Sequence, residues 1–188
     1  QGLEGYDPLY IRRYGEFIAA AADGQLHPTG RSTVLLDKQG TYTKKALDLL
    51  GVRYLLYAKG DEKNVWTFPF WKYPESFGAP IYGNDHYEIY ENNKVLPRAF
   101  IVHDYVVLAA DKEILRQLFQ DNFDISKKIV LEEEPGQIER LNSSVVTPNE
   151  RERVNIVTYS PNIVIIRVTA EEKSLLFFSD AYYPRWNA

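Results

Sequence analysis

The sequence contains no cysteine and no methionine among its 188 residues. Without cysteine the chain cannot form a disulfide, bind a metal through thiolates or use a cysteine nucleophile. The absence of cysteine is also compatible with an exported bacterial domain that avoids oxidation chemistry. Any chemistry of this protein therefore depends on oxygen, nitrogen and aromatic groups.

Long hydrophobic runs and an excess of positive charge are missing too. The longest uncharged apolar runs, at residues 17–22 and 105–110, have six residues each, whereas a membrane-spanning helix needs about twenty. The formal net charge is −4 and the pI is about 5.5, so no basic surface is expected to hold nucleic acid. We expect no membrane span within this chain and no nucleic-acid partner.

Few of the patterns that carry catalysis are present. There is no Gly-rich phosphate loop and no Gly-x-Ser-x-Gly motif. The histidines His27, His86 and His103 do not have the spacing of metal ligands. His103 precedes Asp104, but neighbouring side chains of a strand point to opposite faces and cannot act on one substrate together. We predict no catalytic residue, no metal site and no cofactor.

Hydrophobic periodicity predicts an α+β fold. Apolar positions at intervals of three and four predict helices, and short β-branched and aromatic runs between breakers predict strands. Helices are predicted at residues 9–22, from 41 or 43 to 50, and 111–120; strands are predicted at 33–36, 52–58, 87–91, 99–108, 128–132, 154–159, 163–169 and 174–179. Gly51 follows the second helix, where a left-handed residue commonly ends a helix.

These elements predict two lobes joined by a linker. Residues 1–134 form a mixed α/β lobe whose main sheet holds the strands at 52–58, 99–108 and 128–132, with the helices on one face. The strands at 87–91 and 99–108 are expected to pair with each other. Residues 135–150, which are polar and contain Pro135, are predicted to be the linker. Residues 151–188 form a small antiparallel β lobe that contains a hairpin around Ser160-Pro161-Asn162.

Aromatic residues are unusually abundant, with 14 Tyr, 9 Phe and 3 Trp. A stretch without clear periodicity, between residues 59 and 83, concentrates several of them. Such rings can stack on sugar faces or dock a protein partner, and the alternative is that they pack this stretch onto its own domain. The primary binding candidates are Trp66, Phe70, Trp71, Tyr73, Asp85 and His86, and the secondary candidates are His103, Asp180, Tyr183 and Trp186.

Several stretches, taken in order, resemble the YfhO-type bacterial membrane proteins. They cover most of the chain, and the ordered set is more specific than any one of them. These stretches are Gly5-Tyr6-Asp7-Pro8-Leu9 with Arg12-Arg13-Tyr14, Leu47-Asp48-Leu49-Leu50-Gly51-Val52-Arg53-Tyr54-Leu55, Leu96-Pro97-Arg98-Ala99-Phe100-Ile101-Val102, Tyr159-Ser160-Pro161-Asn162 and Ser179-Asp180-Ala181-Tyr182-Tyr183-Pro184.

The resemblance implies a large polytopic protein whose membrane region is like that of lipid-sugar-dependent glycosyltransferases. This chain would be an extracytoplasmic, non-catalytic part of it, with the protein's own transmembrane region and cell-envelope glycan as partners. The acidic catalytic residues of such enzymes lie between early spans, so none is carried over to this chain. Arg185 stands where the family has glycine, and the family continues with a further strand pair beyond Ala188, which predicts an incomplete β lobe.

Three functions follow as hypotheses. The first is a glycan-recognising extracytoplasmic module. The second is a structural or protein-docking domain, which requires an exposed apolar patch. The third is a free-standing hydrolase, which requires a cleft that brings His103 or His86 together with carboxylates.

Overall fold

The computed structural model describes residues 3–6, 11–30, 33–60, 70–136, 151–180 and 186–187. The chain divides into two compact units, Gln1–Leu96 and Pro97–Ala188. Helices and mainly antiparallel sheets occur together in the described residues, which confirms the predicted α+β class. None of the described helices is long and apolar enough to cross a membrane.

The first unit contains two helices and two small sheets among its described residues. In chain order its elements are β1 (Gly5–Tyr6), α1 (Arg12–Ala20), β2 (Thr33–Val34), α2 (Thr43–Leu49), β3 (Tyr54–Ala58), a 3₁₀ turn (Pro74–Phe77), β4 (Tyr82–Gly83) and β5 (Tyr87–Glu91). β1 pairs with β2, while β5 lies between β3 and β4 in an antiparallel sheet of three strands.

The helix α1 packs closely against the segment that leads into α2. Ile18 and Ala20 are fully buried on α1. At Gly40 a side chain would begin 2.6 Å from the carbonyl oxygen of Ala21, so only glycine fits this approach. Because Thr41 N also donates to the oxygen of Ala22 at 2.8 Å, the end of α1 is bound directly to this segment.

A buried amide ties the end of α2 to the sheet. Asn92, which follows β5, is buried, and its Nδ2 donates to Asp48 Oδ1 at 2.7 Å and to the oxygen of Val52 at 3.1 Å. Its backbone N–H donates to the oxygen of Arg53 at 2.7 Å. Gly51 adopts a φ of 70° and ends the helix in the predicted way. The chain thereby turns directly from α2 into β3.

The second unit contains strands and one helix among its described residues. Its elements are β6 (Ala99–Val102), β7 (Asp104–Val107), α3 (Asp111–Leu118), β8 (Lys128–Leu131), β9 (Arg153–Tyr159), β10 (Val164–Thr169) and β11 (Leu175–Phe178). The hairpin of β9 and β10 confirms the turn predicted at residues 160–162. β6 pairs with β11 in antiparallel fashion, and β7 pairs with β8 in parallel.

Strand partners differ from those expected from sequence. The strands at 52–58, 99–108 and 128–132 were expected in one sheet. The second half of 99–108 does pair with 128–131, but the strand at 52–58 belongs to a different sheet. The stretch 99–108 breaks at His103 into β6 and β7, each with its own partner. The strand at 87–91 pairs with β3 and β4 rather than with β6, because β3 offers it a matching alternation of buried and exposed residues.

The boundary between units also differs from the predicted linker. β6 lies in the region predicted as the first lobe, yet it pairs with β11 of the predicted β lobe. The compact units therefore divide between Leu96 and Pro97. Of the predicted linker, only residues 135–136 lie within the described residues.

Replacement of Asn92 by alanine is expected to destabilise the first unit by about 1–3 kcal/mol, because the Asp48 carboxylate and the Val52 carbonyl lose a buried donor. Urea denaturation followed by far-UV circular dichroism measures this change. The matched control is Asn93→Ala at the exposed neighbouring position, which should change stability by less than about 0.5 kcal/mol. Equal stability of the two variants would contradict the role assigned to Asn92.

Candidate functional site: an aromatic sheet face

The sheet of β3, β4 and β5 buries one face and exposes the other. Leu55 on β3 and Tyr90 on β5 are each only 5% exposed, and the register places them opposite each other. Side chains alternate along a strand, so Tyr54 and Leu56 point away from this buried pair. The exposed fractions of Tyr54 and Leu56 are 55% and 38%.

The exposed face carries tyrosines on all three strands. The register places Tyr54 beside Glu91, Leu56 beside Ile89, Ala58 beside Tyr87, and Tyr82 on the other side of Ile89. Tyr82 and Tyr87 are 55% and 42% exposed. We call this surface the tyrosine face, and its members are Tyr54, Leu56, Ala58, Tyr82, Tyr87, Ile89 and Glu91.

A charged pair borders one end of the tyrosine face. Arg53 Nε donates to Glu91 Oε1 at 3.1 Å, and the Arg53 guanidinium lies 5.6 Å from the centre of the Tyr54 ring. The pKa of Arg53 is raised, chiefly by its hydrogen bond to Glu91. This end of the face therefore offers hydrogen-bond donors and acceptors beside an exposed ring.

A tight turn between β4 and β5 forms the other end. Asn84 Oδ1 accepts the backbone N–H groups of His86 and Tyr87 at 2.8 and 2.7 Å. Lys59 fixes the same turn from β3, since its Nζ donates to the oxygen of Asn84 at 2.8 Å. The turn holds the predicted candidates Asp85 and His86, and the His86 and Tyr87 rings lie 6.4 Å apart. Both candidates thus lie at the border of the tyrosine face.

The segment at Phe70 and Trp71 runs along the free edge of β3. Trp71 N donates to the oxygen of Leu56 at 2.7 Å. The Phe70 ring stacks on Tyr87 with ring centres 6.0 Å apart. Phe70, one of the predicted binding candidates, thereby extends the tyrosine face.

Trp71, another predicted binding candidate, is buried in the first unit instead. It is only 6% exposed, and its Nε1 donates to the oxygen of Tyr73 at 2.7 Å and to Ser76 Oγ at 3.2 Å. Phe77 meets its ring edge to face at 5.4 Å. In this part of the aromatic stretch, the alternative of packing onto its own domain accounts for Trp71.

An open groove of about 360 Å³ lies beside Trp71 and Tyr73. Two of its amines already have partners: Lys38 Nζ lies 2.9 Å from Glu4 Oε2, and Lys44 Nζ donates to the oxygen of Ser76 at 2.7 Å. The carboxylate of Glu4 neutralises the charge of Lys38, whereas Lys44 donates to a neutral carbonyl and keeps its positive charge at the groove. Its lining comprises Lys38, Gln39, Gly40, Thr41, Thr43, Lys44, Trp71, Tyr73, Glu75 and Ser76.

Behind the tyrosine face, Glu88 and Tyr90 form a hydrogen-bonded pair. Tyr90 OH donates to Glu88 Oε2 at 2.5 Å. Burial first, and then this bond, raise the pKa of Tyr90 to about 12. The same bond, helped by Lys59, lowers the pKa of Glu88. Both groups are therefore held in their ordinary neutral-pH states, Tyr90 protonated and Glu88 ionised.

The secondary candidates of the second unit occupy two other places. His103 Nε2 lies 2.9 Å from Glu152 Oε2, and its Nδ1 lies 3.4 Å from the oxygen of Lys173. Asp180 Oδ2 accepts the hydroxyl of Tyr159 at 2.8 Å and lies 3.5 Å from Arg98 Nη2. The hydrogen bond to Asp180 is the main cause of the raised pKa of Tyr159. In each case the candidate's polar atoms contact protein groups.

The remaining candidates have simple outcomes. Trp66 and Tyr183 lie outside the described residues. Trp186 is exposed. Within the described part of the chain, no group of three or more His, Asp and Glu side chains could hold a metal ion.

Sequence reasoning missed the three tyrosines of the face. The signal was present, because aromatic and aliphatic residues alternate at Tyr54 and Leu56 and again at Tyr87 and Ile89. A period of two predicts that such residues share one face of a strand. The sequence does not show, however, that Tyr54, Tyr82 and Tyr87 are exposed on this face. Comparisons with protein-family models, curated proteins and solved structures found no match to this chain.

Trp71→Ala is expected to act on stability, because it removes a buried ring and its hydrogen bonds. The expected loss is about 3–5 kcal/mol in the free energy of unfolding, measured by urea denaturation. Lys72→Ala, at the exposed next position, is the control and should be near neutral. A Trp71→Ala variant as stable as the unsubstituted chain would show that the ring is not part of the core.

Proposed function

We propose that this chain is a non-catalytic, glycan-recognising module on the extracytoplasmic face of a bacterial membrane protein. The parent protein would be of the YfhO type and similar to lipid-sugar-dependent glycosyltransferases. The observation that supports glycan recognition is the tyrosine face, where Tyr54, Tyr82 and Tyr87 are exposed on three adjacent strands.

The chemistry of the tyrosine face suits a carbohydrate. The C–H faces of sugar rings pack on aromatic rings, while sugar hydroxyls need donors and acceptors at the rim. Tyrosine supplies a large, rigid contact at a low cost in side-chain entropy and carries a hydroxyl of its own. The Arg53–Glu91 pair adds charged hydrogen-bonding groups beside Tyr54.

Placement in a larger membrane protein rests on the ordered resemblance. In that proposal the chain's partners are its own transmembrane region and cell-envelope glycan, and the reacting residues lie elsewhere in the parent protein. The module would position an acceptor glycan near the site of sugar transfer.

The hydrolase hypothesis has less support. Both ring nitrogens of His103 face protein acceptors, Glu152 and the Lys173 carbonyl. His86 lies in an exposed turn, and neither histidine lines the groove beside Trp71. The required cleft with a histidine and carboxylates is not found among the described residues.

A docking role has one specific observation in its favour, in the second unit. The β9–β10 hairpin exposes several apolar side chains, and β11 exposes another. Exposed apolar side chains fit contact with the rest of the larger protein. These residues are Val157, Ile163, Ile165, Val168 and Leu176.

The glycan proposal predicts that Tyr54→Ala and Tyr82→Ala each weaken binding to purified bacterial cell-wall polysaccharide on the order of tenfold, the loss of a central aromatic contact. Affinity electrophoresis with immobilised polysaccharide, followed by calorimetry, measures the change. Leu35→Ala is the matched control, since Leu35 is an equally exposed apolar residue of the first unit outside the face.

Two results would contradict the glycan proposal. One is the absence of polysaccharide binding by the chain without substitutions. The other is an equal affinity for polysaccharide of the unsubstituted chain and both tyrosine variants. In either case the docking role of the second unit would become the better hypothesis.

A further inference from the structure

The tyrosine face is longer than one sugar ring. Tyr87 pairs with Ala58, four residues along β3 from Tyr54. At the usual rise of a strand, the two tyrosines lie about 13 Å apart along the strand direction. Tyr82 lies across two strand spacings from Leu56, about 10 Å away. A ligand that contacts all three rings must therefore be a chain of several units.

The tyrosine face is also open. Tyr54 and Tyr82 are both more than half exposed. Sites that enclose a small ligand are concave and bury most of its surface, whereas this site is the outer surface of a sheet. An exposed sheet surface of this kind suits an internal stretch of a polymer better than an enclosed small molecule.

The charges around the tyrosine face are balanced. Within the described residues, Arg53 pairs with Glu91 at the border of the face and Lys59 pairs with Glu88 behind it, each at 3.1 Å. Asp85, in the turn that forms the other end of the face, adds a negative charge rather than a positive one. A surface without excess charge of one sign does not attract a polyanion. Its paired side chains still have hydrogen-bonding capacity for neutral hydroxyls.

Resting on the proposed glycan function, we infer that the tyrosine face binds an internal stretch of an uncharged, linear polysaccharide several sugar units long. Tyr54 holds one end of that stretch, and Tyr87 with Phe70 holds the other. Tyr82 contacts the same stretch of polysaccharide from the side.

The test uses cell-wall polysaccharide that has been partly hydrolysed, separated into neutral and anionic fractions, and sized from monosaccharide to long chains. Calorimetry with the full chain should show no measurable binding of the neutral monosaccharides and an affinity that rises at least tenfold from disaccharide to hexasaccharide. Tyr54→Ala should lower the affinity for the neutral hexasaccharide on the order of tenfold, while its effect on the disaccharide should be smaller, because a disaccharide can bind at the Tyr87 end. Leu35→Ala again serves as the control.

The possible failures are distinguishable. Tyrosine-dependent binding that is found only in the anionic fraction, or that is as strong for a monosaccharide as for a hexasaccharide, overturns this inference and leaves the proposed glycan function standing. Absence of binding to every fraction and to the unfractionated polysaccharide overturns both. In that case, the docking role of the second unit would be the remaining hypothesis.

Discussion

The first unit depends on the hydrogen bonds of the buried side chain of Asn92. It joins the carboxylate of Asp48 on α2 to the backbone before β3. Its own backbone N–H, just after β5, donates to the oxygen of Arg53. Burial raises the pKa of Asp48, and the hydrogen bond from Asn92 opposes that rise. A buried polar group of this kind is stable only when its partners are correctly placed, so the network fixes the register of β3 and β5 as well as the end of the helix.

A fixed register has a direct consequence for the surface. With Leu55 and Tyr90 opposite each other in the core, strand geometry must place Tyr54, Leu56, Tyr87 and Ile89 on the other face. A shift of one residue would bury the tyrosines and expose the core. The candidate binding surface is thus a consequence of the same alternation that builds the core, and the short segment at Phe70 completes it along the edge of β3.

Local features of this fold could be predicted from sequence, whereas long-range ones could not. The α+β class, the helix stop at Gly51 and the β9–β10 hairpin depend on neighbouring residues, and all were predicted. The pairing of β6 with β11 joins residues more than seventy positions apart, and no local pattern specifies it. For the site, the ring of Phe70 stacks on Tyr87 of the tyrosine face, while Trp71, also predicted as a binding candidate, proved buried. The same aromatic composition supports either outcome, and only packing decides between them.

We propose that the tyrosine face of the sheet of β3, β4 and β5, and not the buried face of that sheet, contacts a glycan. Nuclear magnetic resonance of the protein with ¹³C-labelled tyrosine rings, titrated with neutral cell-wall oligosaccharide, tests this most directly. We expect the ring signals of Tyr54, Tyr82 and Tyr87 to shift together with one affinity. Those of Tyr57 and Tyr90, on the opposite face of the same sheet, should stay unchanged. Shifts confined to other tyrosines, or no shift at saturating oligosaccharide, would contradict it.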